Sequence, residues 1–377
     1  MRKVGHELVA LIPISKPSIT DLEIRYVSDA VKSGWVSSLG PYIESFEKAF
    51  ARFCDCKYAL ATSNGTTGLH LALEALRIGP GDEVIVPDLT FVATANAVSY
   101  TGATPIMVDI ERDSLCIDSA AIRQAISPRT KAIIPVHLYG HPADMEPLKR
   151  IAAEYKLAVI EDAAEAHGAE YRGRRVGGLA DCGVFSFYGN KIITTGEGGM
   201  LTTNDQSLYL RAKSLRDHAM SPDKRYWHEE RGFNYRMTNM QAALGMAQLE
   251  RIDELQSHRT QVVSWYREHI RTSPSIRLNY VAPWARSAYW MVCLEVDWFN
   301  EVRRSAFMNE LRQRGIDSRP YFYPVSSMPM YKPAIAPVAA QKSAIGTNLP
   351  SYRELTEADV AWICKNVNEL LAAIAPA

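Results

Sequence analysis

Six short apolar runs dominate the first half of the chain: EVIVP from Glu83, TPIMVDI from Thr104, KAIIPVHL from Lys131, LAVIED from Leu157, CGVFSF from Cys182 and GGMLTT from Gly198. Their apolar residues are continuous rather than alternating, the pattern of strands buried on both faces. Helix-patterned stretches separate several of them, such as SAAIRQAI from Ser119 and DMEPLKRIAAEYK from Asp144. Strand, helix, strand repetition predicts an α/β fold, a mostly parallel sheet covered by helices on both sides.

Outside that block the rhythm differs. TDLEIRYVSDAVKSG predicts a helix with a capping box at Thr20 and Glu23 and a stop at Gly34. After Asp217 a polar, aromatic stretch leads into one long amphipathic run from Met240 to about Ile270, and RRSAFMNELRQRGI predicts a further helix ending near Gly315. A chain of 377 residues suits a large α/β domain with a smaller companion. The boundary is expected near residue 255, giving a large domain over 1–255 and a small one over 256–377.

Composition removes several classes of function. Lys plus Arg and Asp plus Glu both number 42, so no net field holds a nucleic-acid backbone by counterion release. Six cysteines are scattered, and only Cys54 and Cys56 are close neighbours; without a second pair or histidines at ligand spacing they predict no metal site. The N-terminal run is interrupted by His6, Glu7 and Pro13 and makes a poor export signal. No uncharged run reaches the roughly 18 residues of a membrane helix. A cytoplasmic enzyme or binding protein is the expectation.

In open parallel sheets ligands bind beyond the carboxyl ends of the strands, and four stretches of that kind carry chemistry. TSNGTTGLHLALEAL opens a helix at Gly65 and Thr66, where free amides and the helix dipole favour a phosphate, although a plain capped helix start fits the same letters. It matches neither a P-loop nor a dinucleotide fingerprint. Asp162 ends a buried strand, either compensated by a cation or serving as an N-cap. Phe91 follows EVIVP, either stacked on a flat ring or packed in the core. Lys191 follows Ser186 in FYGNKIITTGEGGM, and a lysine so placed can bond an aldehyde as a Schiff base once its amine is neutral. A phosphate cradle, an aromatic face, a carboxylate and a reactive lysine together meet the needs of pyridoxal 5′-phosphate (PLP).

The order SNGTTGLHLAL, GDEVIVPDLTFVATANAV, GATPIMVDI, PVHLYG, VIEDAAEAHGA, FSFYGNKIITTGEGGM, FNYRMTNMQAALGMAQLER resembles the DegT/DnrJ/EryC1/StrS family of sugar-nucleotide aminotransferases over nearly the whole chain. SGWVSS, GNKIITTGEGG, KRYWH, YRMTN and SRPYFYP are most similar to members that move the amino group of glutamate to the 4-keto carbon of GDP-4-keto-6-deoxymannose. The resemblance implies the PLP-dependent transferase fold of type I, aspartate aminotransferase-like, with a mainly parallel seven-stranded sheet and a smaller C-terminal α/β domain. It also implies a homodimer with shared active sites. By position, Lys191 matches the Schiff-base lysine and Asp162 the partner of the pyridinium nitrogen. Gly65, Thr66 and Ser186 match the phosphate site, Phe91 the ring-covering aromatic residue, and Asn234 an asparagine that reaches the phosphate of the neighbouring subunit. Glu165 stands near the ring where many relatives have Gln or His, and FYGNK replaces the FFGNK of the perosamine-type relatives.

A nucleotide diphosphate needs cations, and Lys224, Arg225 and Arg319 are candidates because an Arg fork suits phosphate oxygens. Tyr226, Trp227 and Tyr321 are candidates for the base or sugar pocket, with packing an equal alternative. Three rivals keep the cofactor: an aminotransferase for a UDP- or dTDP-linked sugar or a free keto sugar acid, a sugar dehydratase in which histidine replaces the lysine, and a PLP-binding regulator without turnover. Lys191 argues against the dehydratase.

Overall fold

The computed structural model describes residues 11–375 and the backbone of 2–4 and 7–9. Numbering only the strands of the two larger sheets, the first sheet contains β1 (Tyr58–Thr62), β2 (Glu83–Pro87), β3 (Thr104–Val108), β4 (Thr130–Ile133), β5 (Ala158–Asp162), β6 (Cys182–Ser186) and β7 (Gly199–Thr203). Their order is β1-β7-β6-β5-β4-β2-β3, parallel except that β7 runs antiparallel to both its neighbours. Six of the seven strands are the six apolar runs. The seventh, β1, carries only a short KYALAT signal.

The continuous apolar runs are two-sided, as buried strands require. Ile85, Ile133, Val159 and Phe185 point into one core, and Val84, Val86, Ala132, Ile160 and Val184 into the other. Helices α1 (Asp21–Lys32), α2 (Pro41–Phe53), α3 (Gly65–Ala75), α4 (Ala93–Tyr100), α5 (Ser119–Ala125), α6 (Met145–Tyr155) and α7 (Gln206–Arg216) accompany the sheet. The capping box of α1 is present at Thr20 and Glu23.

The expected single run from Met240 to Ile270 is two helices, α8 (Asn239–Glu250) and α9 (Ile252–His269), broken at Arg251 with φ −100° and ψ 6°. The break has a physical cause in the packing of α1. Arg251 turns inward to bond Glu23 Oε1 at 2.7 Å, the Ser18 carbonyl at 3.3 Å and Glu254. Burial pushes the Glu23 carboxyl up, but hydrogen bonds from Thr20, Arg251 and Gln248 outweigh it and hold the pKa at about 2. Helix α9 also joins two cores. Ile252 and Leu255 belong to the large-sheet core, whereas Val262, Val263 and Tyr266 belong to the core of the second sheet.

That second sheet is antiparallel, ordered β8 (Ile276–Leu278), β9 (Val292–Val296), β11 (Gly346–Leu349), β10 (Arg319–Pro320). Helices α10 (Glu301–Gln313), α11 (Pro337–Ile345) and α12 (Glu357–Ile374) complete it.

Candidate active site

The carboxyl ends of β2, β5 and β6 converge with the first turn of α3 on a cavity of about 480 Å³. Gly65, Thr66 and Ser186 line it. Asn64 caps α3 by accepting from Thr67 N at 2.8 Å, which leaves the amides of Gly65 and Thr66 without intrahelical partners. The approach is close: a Cβ on Gly65 would lie 3.0 Å from Ser186 Cβ, so glycine lets the helix start meet the end of β6.

Asp162, 5% exposed, lines the same cavity. It accepts from Thr94 Oγ1 at 2.7 Å and Ala164 N at 3.2 Å, and burial raises its pKa against those bonds. Among the described residues no Lys or Arg bonds it directly, so a protonated ring nitrogen is the kind of partner its chemistry suits. Lys191 also lines it, its side chain 11% exposed and its Nζ 3.5 Å from Glu165 Oε1. Burial lowers its pKa, while Glu165 and Asp162 pull it back up. Phe91 is exposed rather than packed in the core, its ring centroid 5.7 Å from that of Phe322. An anion cradle, an aromatic flank, a buried acid and a desolvated amine fit PLP.

Glu165 now has a defined setting. Its Oε2 accepts from Tyr139 N at 2.9 Å, and burial raises its pKa from 4.5 to about 7. A carboxyl that binds its proton more tightly when folded stabilises fully below the unfolded pKa near 4.5, and that contribution is lost as pH rises through about 7. Glu165→Gln is therefore expected to flatten the pH dependence of stability of the cofactor-free protein between those values by up to about one proton. Urea unfolding across this range checks it; superimposable slopes for the two proteins would mean that the carboxyl is ionised throughout.

Other anticipated residues lie elsewhere in this chain. Lys224, Arg225, Tyr226 and Trp227 are exposed on the segment after α7, with Lys224 Nζ 4.1 Å from the Trp227 ring centroid. Asn234 is exposed and accepts from Arg236 Nε at 3.1 Å. Arg319 is exposed and paired with Asp317. None of these lines the Lys191 cavity. Tyr321 is 1% exposed, its ring 5.0 Å from that of Tyr139; it lines a separate cavity of about 440 Å³, and its neighbour Phe322 faces Lys191's cavity instead. The sequence reasoning missed Thr94, Tyr139, Trp290 and Phe322. Only Thr94 had a usable signal, one helical turn beyond Thr90, whose hydroxyl lies 3.0 Å from its own.

Comparison with known proteins gives concordant results. The model of the DegT/DnrJ/EryC1/StrS aminotransferase family matches residues 17–368. The chain is 47% identical to a GDP-perosamine synthase of Caulobacter vibrioides, with 96% of this chain and 98% of that protein covered. It is 44% identical to a GDP-perosamine synthase of Escherichia coli O157:H7, covering 95% and 98%. Among solved structures, a putative sugar aminotransferase of Streptococcus pneumoniae in its PLP form superposes with a TM-score of 0.93 at 28% identity, covering 97% of this chain and all of that one.

Proposed function

Because the chain belongs to the DegT/DnrJ/EryC1/StrS aminotransferase family and is a PLP-dependent sugar aminotransferase, we propose that it moves the amino group of glutamate to the 4-keto carbon of GDP-4-keto-6-deoxymannose, forming GDP-perosamine. The observation that carries the sugar assignment is that three relatives, 40–47% identical over at least 94% of this chain, bear that one name.

Each residue then has a task. Gly65, Thr66 and Ser186 bind the cofactor phosphate, and Phe91 flanks the ring. Asp162 keeps a proton on the ring nitrogen. When bound, PLP supplies an electron sink for the pair released at the substrate carbon. Lys191 is the residue that would hold PLP through Nζ, and once released its neutral amine would carry the proton as amino groups are exchanged. In the first half-reaction glutamate leaves as 2-oxoglutarate; in the second the keto sugar takes up the nitrogen. Glu165 accepts or returns a proton beside that amine.

The protein works as a homodimer in this reading. Asn234, Lys224, Arg225 and Tyr226 are exposed and lie off their own chain's cavity, which suits groups offered to a second copy, where the cations meet the nucleotide diphosphate. Arg319 is a further candidate for that anion.

The test is incubation with GDP-4-keto-6-deoxymannose, glutamate and PLP, followed by mass analysis for conversion of the ketone to an amine. UDP- and dTDP-linked keto sugars and a free keto sugar acid run in parallel. Amination confined to one of those would reassign the substrate. A cofactor spectrum that glutamate leaves unchanged would point to a regulator without turnover.

A further inference from the structure

We propose that Trp290 is a positioning residue for Lys191: its indole face receives the lysine whenever it is released and favours its charged form. The inference rests on Lys191 being the cofactor lysine and is independent of the sugar. Lys191 Nζ lies 3.7 Å from the Trp290 ring centroid, well inside the roughly 6 Å reach of a cation–π contact.

Trp290 is fixed by one ring hydrogen bond and two main-chain ones. Trp290 Nε1 donates to the carbonyl of Asn190, the residue next to the lysine, at 2.8 Å. Its main-chain N–H donates to the Tyr139 carbonyl at 3.1 Å, and its carbonyl accepts from the buried Arg259 at 2.8 Å. The indole is 4% exposed and stacks near Tyr139, with centroids 6.2 Å apart and planes at 22°. An indole held at Nε1, on a main chain held at both its N–H and its carbonyl, and shielded from water is a desolvated surface, where a cation–π contact is strongest.

The other titratable groups around Lys191 divide clearly. Glu165 and Asp162 attract its proton. His167 is held neutral, burial lowering its pKa to about 3. Glu197 lines the same cavity from an exposed position. Lys191 must be neutral to take up a proton and stable once it has done so. Another buried carboxylate would bind the ammonium too firmly for it to return to the neutral form. A π face favours the cation more weakly and cannot itself accept the proton, so it helps the lysine wait without trapping it.

The experiment measures the pKa of Lys191 in the cofactor-free protein from the pH dependence of its acylation by acetic anhydride, read by peptide mass mapping. Trp290→Leu is expected to lower the midpoint by about one pH unit, and Trp290→Phe by less. Fluorinated tryptophans installed at position 290 keep the shape while weakening the negative face, and serve if the leucine variant does not fold. Their midpoints are expected to fall stepwise with fluorine number. A midpoint that ignores fluorination, or falls equally in the Phe and Leu variants, overturns the proposal and leaves Trp290 as packing. Borohydride labelling of PLP-loaded wild-type protein reports separately on the cofactor role of Lys191, so the two failures are distinguishable.

Discussion

Lys191→Ala is expected to lose at least about 10⁴-fold in turnover, because covalent attachment and proton transfer fail together. Among the described residues of one chain, Lys191 is the only lysine or arginine lining the cavity, so no amine of the same chain stands ready to substitute. Borohydride treatment of the PLP-loaded wild type should label the Lys191 peptide, and the variant should show no such label. The fold should survive, because the change removes a desolvated amine and leaves a Glu165 whose raised pKa already favours the neutral form. Lys191→Arg separates charge from chemistry: it preserves the cation but cannot supply a neutral amine, and it should be as inactive as alanine. Full activity in either variant would reject the mechanism.

Asp162→Asn is expected to reduce kcat by about 10²- to 10³-fold, the scale of losing one preorganised electrostatic partner. Asparagine can still accept from Thr94 or Ala164, the two partners of the native carboxylate, but it brings no charge to stabilise a protonated ring nitrogen. Stability should move differently with and without cofactor. Burial raises the Asp162 pKa, so the ionised carboxylate is a burden to the empty protein at neutral pH, and the variant should melt no lower than wild type there. The rise in Tm on adding PLP should shrink, since ligand stabilisation follows affinity. A variant with unchanged kcat and an undiminished PLP-dependent rise would remove Asp162 from the cofactor site.

The large sheet was legible because its strands are buried on both faces, and continuous apolar runs such as EVIVP and CGVFSF have few other uses. The strand Tyr58–Thr62 was harder to see, being short and rich in alanine. The break at Arg251 left no periodicity signal, since it depends on Glu23 and Ser18, more than two hundred residues away. Lys191 and Asp162 stand beside strand ends and could be located by position. Trp290 and Phe322 could not, because they reach the cavity through packing of the second sheet region against the first. In PYFYP the decisive question was which aromatic residue faces the cavity. Neighbouring side chains in extended backbone point to opposite sides, so a shift of one residue exchanges the buried Tyr321 for Phe322.

Lys191 is carried by the connection between β6 and β7, which pair antiparallel. Phe187 N bonds the Gly198 carbonyl at 2.8 Å, and Thr195 N bonds the Phe187 carbonyl at 2.9 Å, clasping the base of that loop. In the proposed mechanism the nucleophile is thus mounted like a flexible arm on a fixed post. Its departure and return need only torsions of the side chain, so recapture of the cofactor need not wait for the backbone to rearrange.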